Sequence, residues 1–415
     1  MVLVLVDALR PDHLGSYGYS KATSPNIDRL AREGSRYTRV YANAPWTRPS
    51  TASFLTGLNA SRHRAESAKS KLPKNVTTLA ERLRKRGWVT AGFVANGNGG
   101  SLAGLEKGFH LFRDPTNYYT KSKRGKTYNG LPRGELIVED SLKWLKRQKN
   151  KNVFLFLFLV DPHDPYRAPR RLEKEFLPKG YKGKVRRTAL WEYNNDYSPQ
   201  EREAMISVYD ASIRYADEAL GKFFDGLKTQ GRYDDSTIMV SADHGEGFGE
   251  HNFYLHAHHF WDEVVRIPLV IKGPQFKAGT VNNMLCDSID VTRTLAQLGE
   301  AVHADLPGNS LLGVHAPGKV VISEYNEFGI RRQAAVNDSY KVIWQKPVDQ
   351  KRFLEAVKRP EYFPSVSMDK EVVRIFNLKS DPMEKNDLLS GAPKEALKLL
   401  DTLRAFVNRS REQGS

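Results

Sequence analysis

Val153-Phe154-Leu155-Phe156-Leu157-Phe158-Leu159-Val160 is an unbroken apolar run that ends in Asp161-Pro162-His163-Asp164-Pro165. A run of this length, without polar alternation, reads as a strand buried on both faces, the kind that parallel sheets require. Two more runs share its form. Val2-Leu3-Val4-Leu5-Val6 ends in Asp7, and Thr237-Ile238-Met239-Val240 leads into Ser241-Ala242-Asp243-His244-Gly245-Glu246-Gly247. Helical spacing lies between them, over Glu135 to Gln148 and over Pro199 to Leu227, the latter carrying Met205, Val208, Ile213, Ala216, Leu220 and Phe224. Further helices are predicted at Pro25 to Gly34 and Thr77 to Arg86, with a strand at Val89 to Val94. Strand and helix in alternation predict an α/β fold with a doubly wound, mostly parallel sheet.

In such sheets functional groups gather at the carboxyl ends of strands. Three buried-type strands thus bring Asp7, Asp161 with His163, and Asp243 with His244 to one edge. Carboxylate and imidazole from separate strands suit one or two divalent cations, whether zinc, manganese, magnesium or calcium. Taken singly, each of these residues reads first as a turn or a cap; jointly, with strand and helix alternating between them, they read as a metal site. His251, His256, His258 and His259 crowd into one short segment after Asp243-His244. They are read as a second metal site, a general acid or a satisfied polar loop. Asn96 and Asn98, past the Val89–Val94 strand, are expected to line the site, the alternative being an Asn-Gly turn.

Ala44-Pro45-Trp46-Thr47-Arg48-Pro49-Ser50-Thr51-Ala52-Ser53-Phe54-Leu55-Thr56-Gly57 reads as a loop entering a short helix. Pro49 suits a first turn and Gly57 a stop, which puts Thr47 just before the helix N-terminus. There its hydroxyl is either an ordinary N-cap or a nucleophile beside the positive end of the helix dipole, where an anionic ester is favoured.

The chain has 415 residues, 40% of them hydrophobic, and one cysteine, Cys286, so no disulfide framework is available. Its length suggests a main domain, residues 1–318, and a smaller one, residues 319–415, with strand-like runs at Val320–Ser323, Lys341–Trp344 and Val372–Phe376. A final amphipathic helix carries Ala396, Leu399, Leu400, Leu403 and Phe406. The polar segment Val348 to Met368 is expected to overhang the site as a loop. No membrane span or leader is visible, and a cytoplasmic location is expected. A net charge of +16 favours anionic partners. The basic runs Lys121–Lys126 and Lys179–Arg187 hint at a polyanionic or small-molecule ester, while nucleic acid is not expected except as substrate.

Ordered matches along the chain resemble the sulfatase family of the alkaline phosphatase superfamily. They are Val6 to Gly15, Ser24 to Leu30, Thr47 to Gly57, Asp161 to Tyr166, Ala242 to Glu246, Gly249 to His251, Trp261 to Val270, Asp287 to Leu295 and Phe376 to Pro382. The resemblance implies a C-terminal α+β subdomain with an antiparallel sheet. The departures are informative. The family's formylglycine-forming Cys is Thr47 here, which that modification cannot convert. Thr51 replaces the motif's Arg, Ala8 its second Asp, and Ala257 a catalytic Lys. A threonine nucleophile is similar to that of phosphodiesterase and phosphotransferase branches of the superfamily.

The set expected to hold metal is therefore Asp7, Thr47, Asp243 and His244, with Asp161, His163 and His258 as a second site. His163, His256 or His258 would protonate the leaving group. Asn96, Asn98 and His251 would contact substrate. The expected activity is metal-dependent hydrolysis of phosphodiesters or phosphonate monoesters. The alternatives are sulfate-ester hydrolysis by the unmodified hydroxyl, phosphotransfer, and a non-catalytic anion-binding protein.

Overall fold

A computed structural model describes residues 1–119, 127–128, 131–183, 197–313, 317–357 and 366–412. Eight strands form the central sheet: β1 (Val2–Val6), β2 (Ser35–Tyr41), β3 (Val89–Val94), β4 (Leu111–Arg113), β5 (Val153–Leu159), β6 (Ile238–Ser241), β7 (Arg266–Lys272) and β8 (Thr280–Asp287). Their spatial order is β8-β2-β7-β6-β1-β5-β3-β4. Every pairing is parallel except those of β7, which runs antiparallel to both β2 and β6.

The apolar runs explain the centre of this order. β1 and β5 are buried along their whole length, so each needs cover on both faces. Helix α1 (Pro25–Glu33), α2 (Thr47–Thr56), α3 (Leu79–Lys85), α4 (Gly134–Leu145), the long α5 (Pro199–Thr229) and α6 (Ser288–Leu298) contribute to that cover. In α5 the predicted stripe Met205, Val208, Ile213, Ala216, Leu220 and Phe224 is buried throughout. Ser198 caps α5 reciprocally with Glu201, and Thr78 caps α3 with Glu81.

β1 sits between β6 and β5, with Val6 opposite Leu159 and Leu5 opposite Ser241. The register places Asp7, the residues after Leu159 and those after Ser241 side by side. The sequence reading missed β2, the three-residue β4, β7 and β8. β2 mixes Arg and Thr with Tyr and Val, and β8 at the sheet edge is only half covered, so neither shows a continuous apolar run.

A second sheet of β9 (Val321–Glu327), β10 (Ile330–Val336), β11 (Tyr340–Gln345) and β12 (Val372–Asn377) is antiparallel throughout. One face packs under the terminal helix α7 (Lys394–Glu412) through Ala396, Leu399, Leu400 and Leu403. The other meets Phe253, Phe260, Trp261, Val264 and Val265 of the segment joining β6 to β7. The segment expected to overhang as a loop is instead helical at Gln350–Ala356. Phe353 and Val357, one turn apart, are buried against the second sheet. Its residues 358–365, Lys121–Lys126 and residues 184–187 of the second basic run lie outside the described residues. Among the described residues no helix is long and apolar enough to cross a membrane.

Candidate active site

Three adjacent strands and one helix end build the site. Asp7 follows β1, Asp243 and His244 follow β6, and all three side chains are fully buried. His244 Nε2 lies 3.5 Å from Asp7 Oδ1, 3.4 Å from Asp243 Oδ2 and 3.4 Å from Thr47 Oγ1. Trp46, not Thr47, is the N-cap of α2. Thr47 is the first helical residue, and its hydroxyl faces His244 instead of capping the helix. Ser50 fixes this approach by donating its hydroxyl to the Asp243 carbonyl at 2.5 Å.

The donor set fits a cation. His244 Nδ1 lies 2.8 Å from the Gly245 carbonyl, which can only accept, so the ring proton sits on Nδ1 and Nε2 presents its lone pair. Asp7 Oδ1 and Asp243 Oδ2 are buried without a hydrogen-bond partner. Acceptors thus face acceptors across a few ångströms, an arrangement that a cation satisfies, as does a proton on one carboxylate. Asp7, Asp243 and His244 are the one group of three or more such side chains among the described residues with ligand atoms within 4.8 Å of one another. Burial and the neighbouring Asp243 raise the pKa of Asp7 to about 6, and burial raises that of Asp243 to about 7. Burial and the His256 ring lower His244 to about 3, which keeps it neutral as ligation requires.

Around this centre lie other expected residues. Asn96 Nδ2 donates to Asp7 Oδ2 at 2.8 Å, and its Oδ1 accepts from the Asn98 amide. Asn98 Oδ1 accepts from Arg48 at 2.8 Å, so that side chain braces the helix carrying Thr47. His163 and His256 lie edge to face at 5.0 Å, and His256 leans on the His244 ring at 4.2 Å. Burial disfavours charge on His163, but the Asp7 and Glu246 carboxylates outweigh it and raise its pKa to about 9. His256 is held neutral by burial and by His163.

Glu246 was given no role in the sequence reading. It is fully buried, and its Oε1 lies 2.8 Å from His256 Nδ1, turning the other ring nitrogen away from it. The signal was a carboxylate two residues past His244 and ahead of the histidine segment.

Other expected residues lie apart. Asp161 Oδ2 accepts the Gly134 amide at 2.7 Å, at the start of α4. His258 sits instead among Phe253, His259 and Tyr325, with burial and Arg332 lowering its pKa to about 3. The two occupy different surroundings. His251 is stacked on Trp261 at 4.0 Å, with its nitrogens on Glu263 and the Met383 carbonyl, which leaves neither nitrogen for a substrate.

Comparison with known proteins matches the same frame. A family model described as Sulfatase matches residues 1–301, a span that holds Asp7, Thr47, His163, Asp243, His244 and His256. The chain is 24% identical to an uncharacterized sulfatase of Escherichia coli strain K12, covering 82% of this chain and 78% of that one. It is 24% identical to a choline-sulfatase of Rhizobium meliloti, over 94% of this chain and 82% of the relative. The fold matches the crystal structure of a phosphonate monoester hydrolase of Agrobacterium radiobacter with a TM-score of 0.75 and 19% identity, over 99% of this chain and 95% of that one. The strands that carry Asp7, His163 and Asp243 lie inside the matched span, and so does the helix that carries Thr47; the chain belongs to the sulfatase family.

Proposed function

We propose that this sulfatase-family hydrolase cleaves phosphate esters, phosphodiesters or phosphonate monoesters, with Thr47 as its nucleophile. The observation that carries the reading is the 3.4 Å approach of Thr47 Oγ1 to His244 Nε2, beside two unpartnered carboxylate oxygens. Asp7, Asp243 and His244, with Thr47, would hold a divalent cation. When bound, it supplies the positive charge that offsets phosphoryl oxygens and makes a nearby hydroxyl more acidic.

The chain's own groups supply the rest. The first turn of α2 holds the Thr47 hydroxyl at the positive end of the helix dipole. Having released its hydroxyl proton to solvent, Thr47 Oγ bonds to phosphorus as the bond from phosphorus to the leaving oxygen breaks, giving a phosphoryl ester on the threonine. His163, which also faces the Glu246 carboxylate, would give its proton to that oxygen. Neutral His163 then takes a proton from a water whose oxygen bonds to phosphorus as the bond to Thr47 Oγ breaks; the phosphate monoester or phosphonate leaves, and Thr47 Oγ regains a proton from solvent.

Sulfate-ester hydrolysis by the same unmodified hydroxyl is equally supported, because both relatives at 24% identity carry sulfatase names. The deciding experiment is hydrolysis of chromogenic phosphodiester, phosphomonoester, phosphonate monoester and sulfate ester side by side. It is run after chelation and re-addition of zinc, manganese, magnesium or calcium, with Thr47→Ala as control. Metal-dependent phosphodiester or phosphonate turnover lost in Thr47→Ala is expected. Turnover of the sulfate ester alone overturns the phosphoryl assignment, and full activity in Thr47→Ala overturns the nucleophile.

A further inference from the structure

The segment carrying His256 has an unusual backbone. Leu255 has φ 69° and Ala257 φ 100°, left-handed values that are strained for an L-residue and persist only where surrounding contacts hold them. Besides the antiparallel pairing of Tyr254 and Leu255 with Phe248 and Gly247, those contacts come from two directions. On one side the Ala257 amide donates to the Pro45 carbonyl at 3.1 Å, two residues before Thr47. On the other, alternate carbonyls of the segment turn toward the second sheet and meet buried cations.

Arg332 Nη1, on β10, donates to the His258 carbonyl at 2.6 Å. Its guanidinium is aimed by the Gln345 side chain opposite it on β11, whose Oε1 accepts from Nε at 3.1 Å and also from Nη2. Lys341 Nζ, at the start of β11, donates to the Phe260 carbonyl at 3.0 Å. Lys341 also lies 2.5 Å from Asp262 Oδ1 and 2.6 Å from Glu384 Oε1, while Glu384 Oε2 accepts the Asp262 amide at 2.7 Å. Lys341 is fully buried, Arg332 is 5% exposed and Gln345 1%. Placing two cations in the interior costs them their hydration, a loss that a packed apolar sheet face avoids.

We propose that Arg332 and Lys341 are positioning residues: by holding the His258 and Phe260 carbonyls they fix the strained Leu255–Ala257 turn and so place His256 against His163, His244 and Glu246. This rests on the reading of His256 as a residue of the active site. The second sheet then takes part in catalysis without touching the substrate. A displacement of about 1 Å at such a site lowers turnover about 100-fold.

The test compares Arg332→Met, Arg332→Lys, Gln345→Leu, Lys341→Met and His256→Ala in the full-length, metal-loaded enzyme. The probes are bis-para-nitrophenyl phosphate and diphenyl phosphate, or the matching sulfate esters if those are turned over. Metal content and melting temperature are measured on every variant. Arg332→Met is expected to lower kcat by about 10- to 100-fold at unchanged KM and metal content. Arg332→Lys is expected to recover part of that loss. Because His256 packs against His163, which protonates the leaving oxygen, the loss should be larger for the poorer leaving group, with the same dependence as in His256→Ala. If Arg332→Met does not fold, Gln345→Leu and Arg332→Lys carry the same comparison. A lowered melting temperature with kcat unchanged, in a background where His256→Ala is slow, overturns the positioning role. Full activity in His256→Ala overturns the reading of His256 itself.

Discussion

The Nδ2 amide of Asn96 donates to Oδ2 of Asp7 at 2.8 Å, and Oδ1 of the same carboxylate has no partner. One oxygen is thereby oriented and the other is left for a cation. Residues that orient a ligand in this way commonly change metal affinity by about 10- to 100-fold when removed. Asn96→Ala is therefore expected to weaken metal binding by about that factor. Titration of the chelated protein with metal, followed by calorimetry, measures it; unchanged affinity would show that Asp7 needs no such support.

The facing acceptors of Asp7, Asp243 and His244 make the metal-free fold self-repelling at its centre. Binding to the native state alone raises stability by about 2.7 kcal/mol at a hundredfold excess over Kd. Thermal unfolding with and without chelator is expected to show that increment as a concentration-dependent rise in melting temperature. In Asp243→Asn the rise should disappear.

Protonation of the leaving group is assigned to His163, so the cost of losing it depends on how much the leaving oxygen needs a proton. For an alkyl or phenyl ester, His163→Asn is expected to lose about 10²- to 10⁴-fold in kcat. For a para-nitrophenyl ester the loss should be much smaller. Equal losses on both would assign His163 to substrate contact.

His63 offers a pH-dependent element away from the metal centre. Its Nδ1 accepts the Ala65 amide at 3.1 Å, and its Nε2 lies 3.1 Å from the Pro49 carbonyl within the first turn of α2. Burial lowers its pKa from 6.5 to about 4. The folded value lies below the unfolded one, so protons bind the unfolded chain more readily. The His63 contribution is complete above pH 6.5 and is lost as pH falls from 6.5 through 4, reaching about 3 kcal/mol. His63→Gln keeps one donor and one acceptor without titrating. Its denaturant midpoint is expected to fall less than that of the parent across this window, and parallel curves would exclude His63 as the cause.

How much was legible in the sequence follows from burial. β1, β5 and β6 announced themselves because strands covered on both faces carry no polar alternation, and the charged residues closing them marked the sheet edge. β7 holds Pro268 beside a register shift, and its antiparallel direction has no signature in local composition. Asp7, Thr47, Asp243 and His244 do converge. His251 and Asp161 are also polar residues near that edge, yet their partners, the Met383 carbonyl and Glu263 for the one and the Gly134 amide for the other, are set by the folded chain and not by adjacent sequence. Glu246 was overlooked for the same reason, since its meaning depends on His256 folding back over it.

The place of β1 in the sheet bears on how the chain is made. Val2 pairs with Leu155 on one side and Ile238 on the other, so the central strand has no neighbour until long stretches of later chain have been synthesised. Such distant pairings fold slowly and leave apolar strands open to sticking meanwhile. The candidate cation-binding group, which needs both Asp7 and the residues after Ser241, cannot assemble before the chain has been made as far as His244, so capture of any ion there must follow that point.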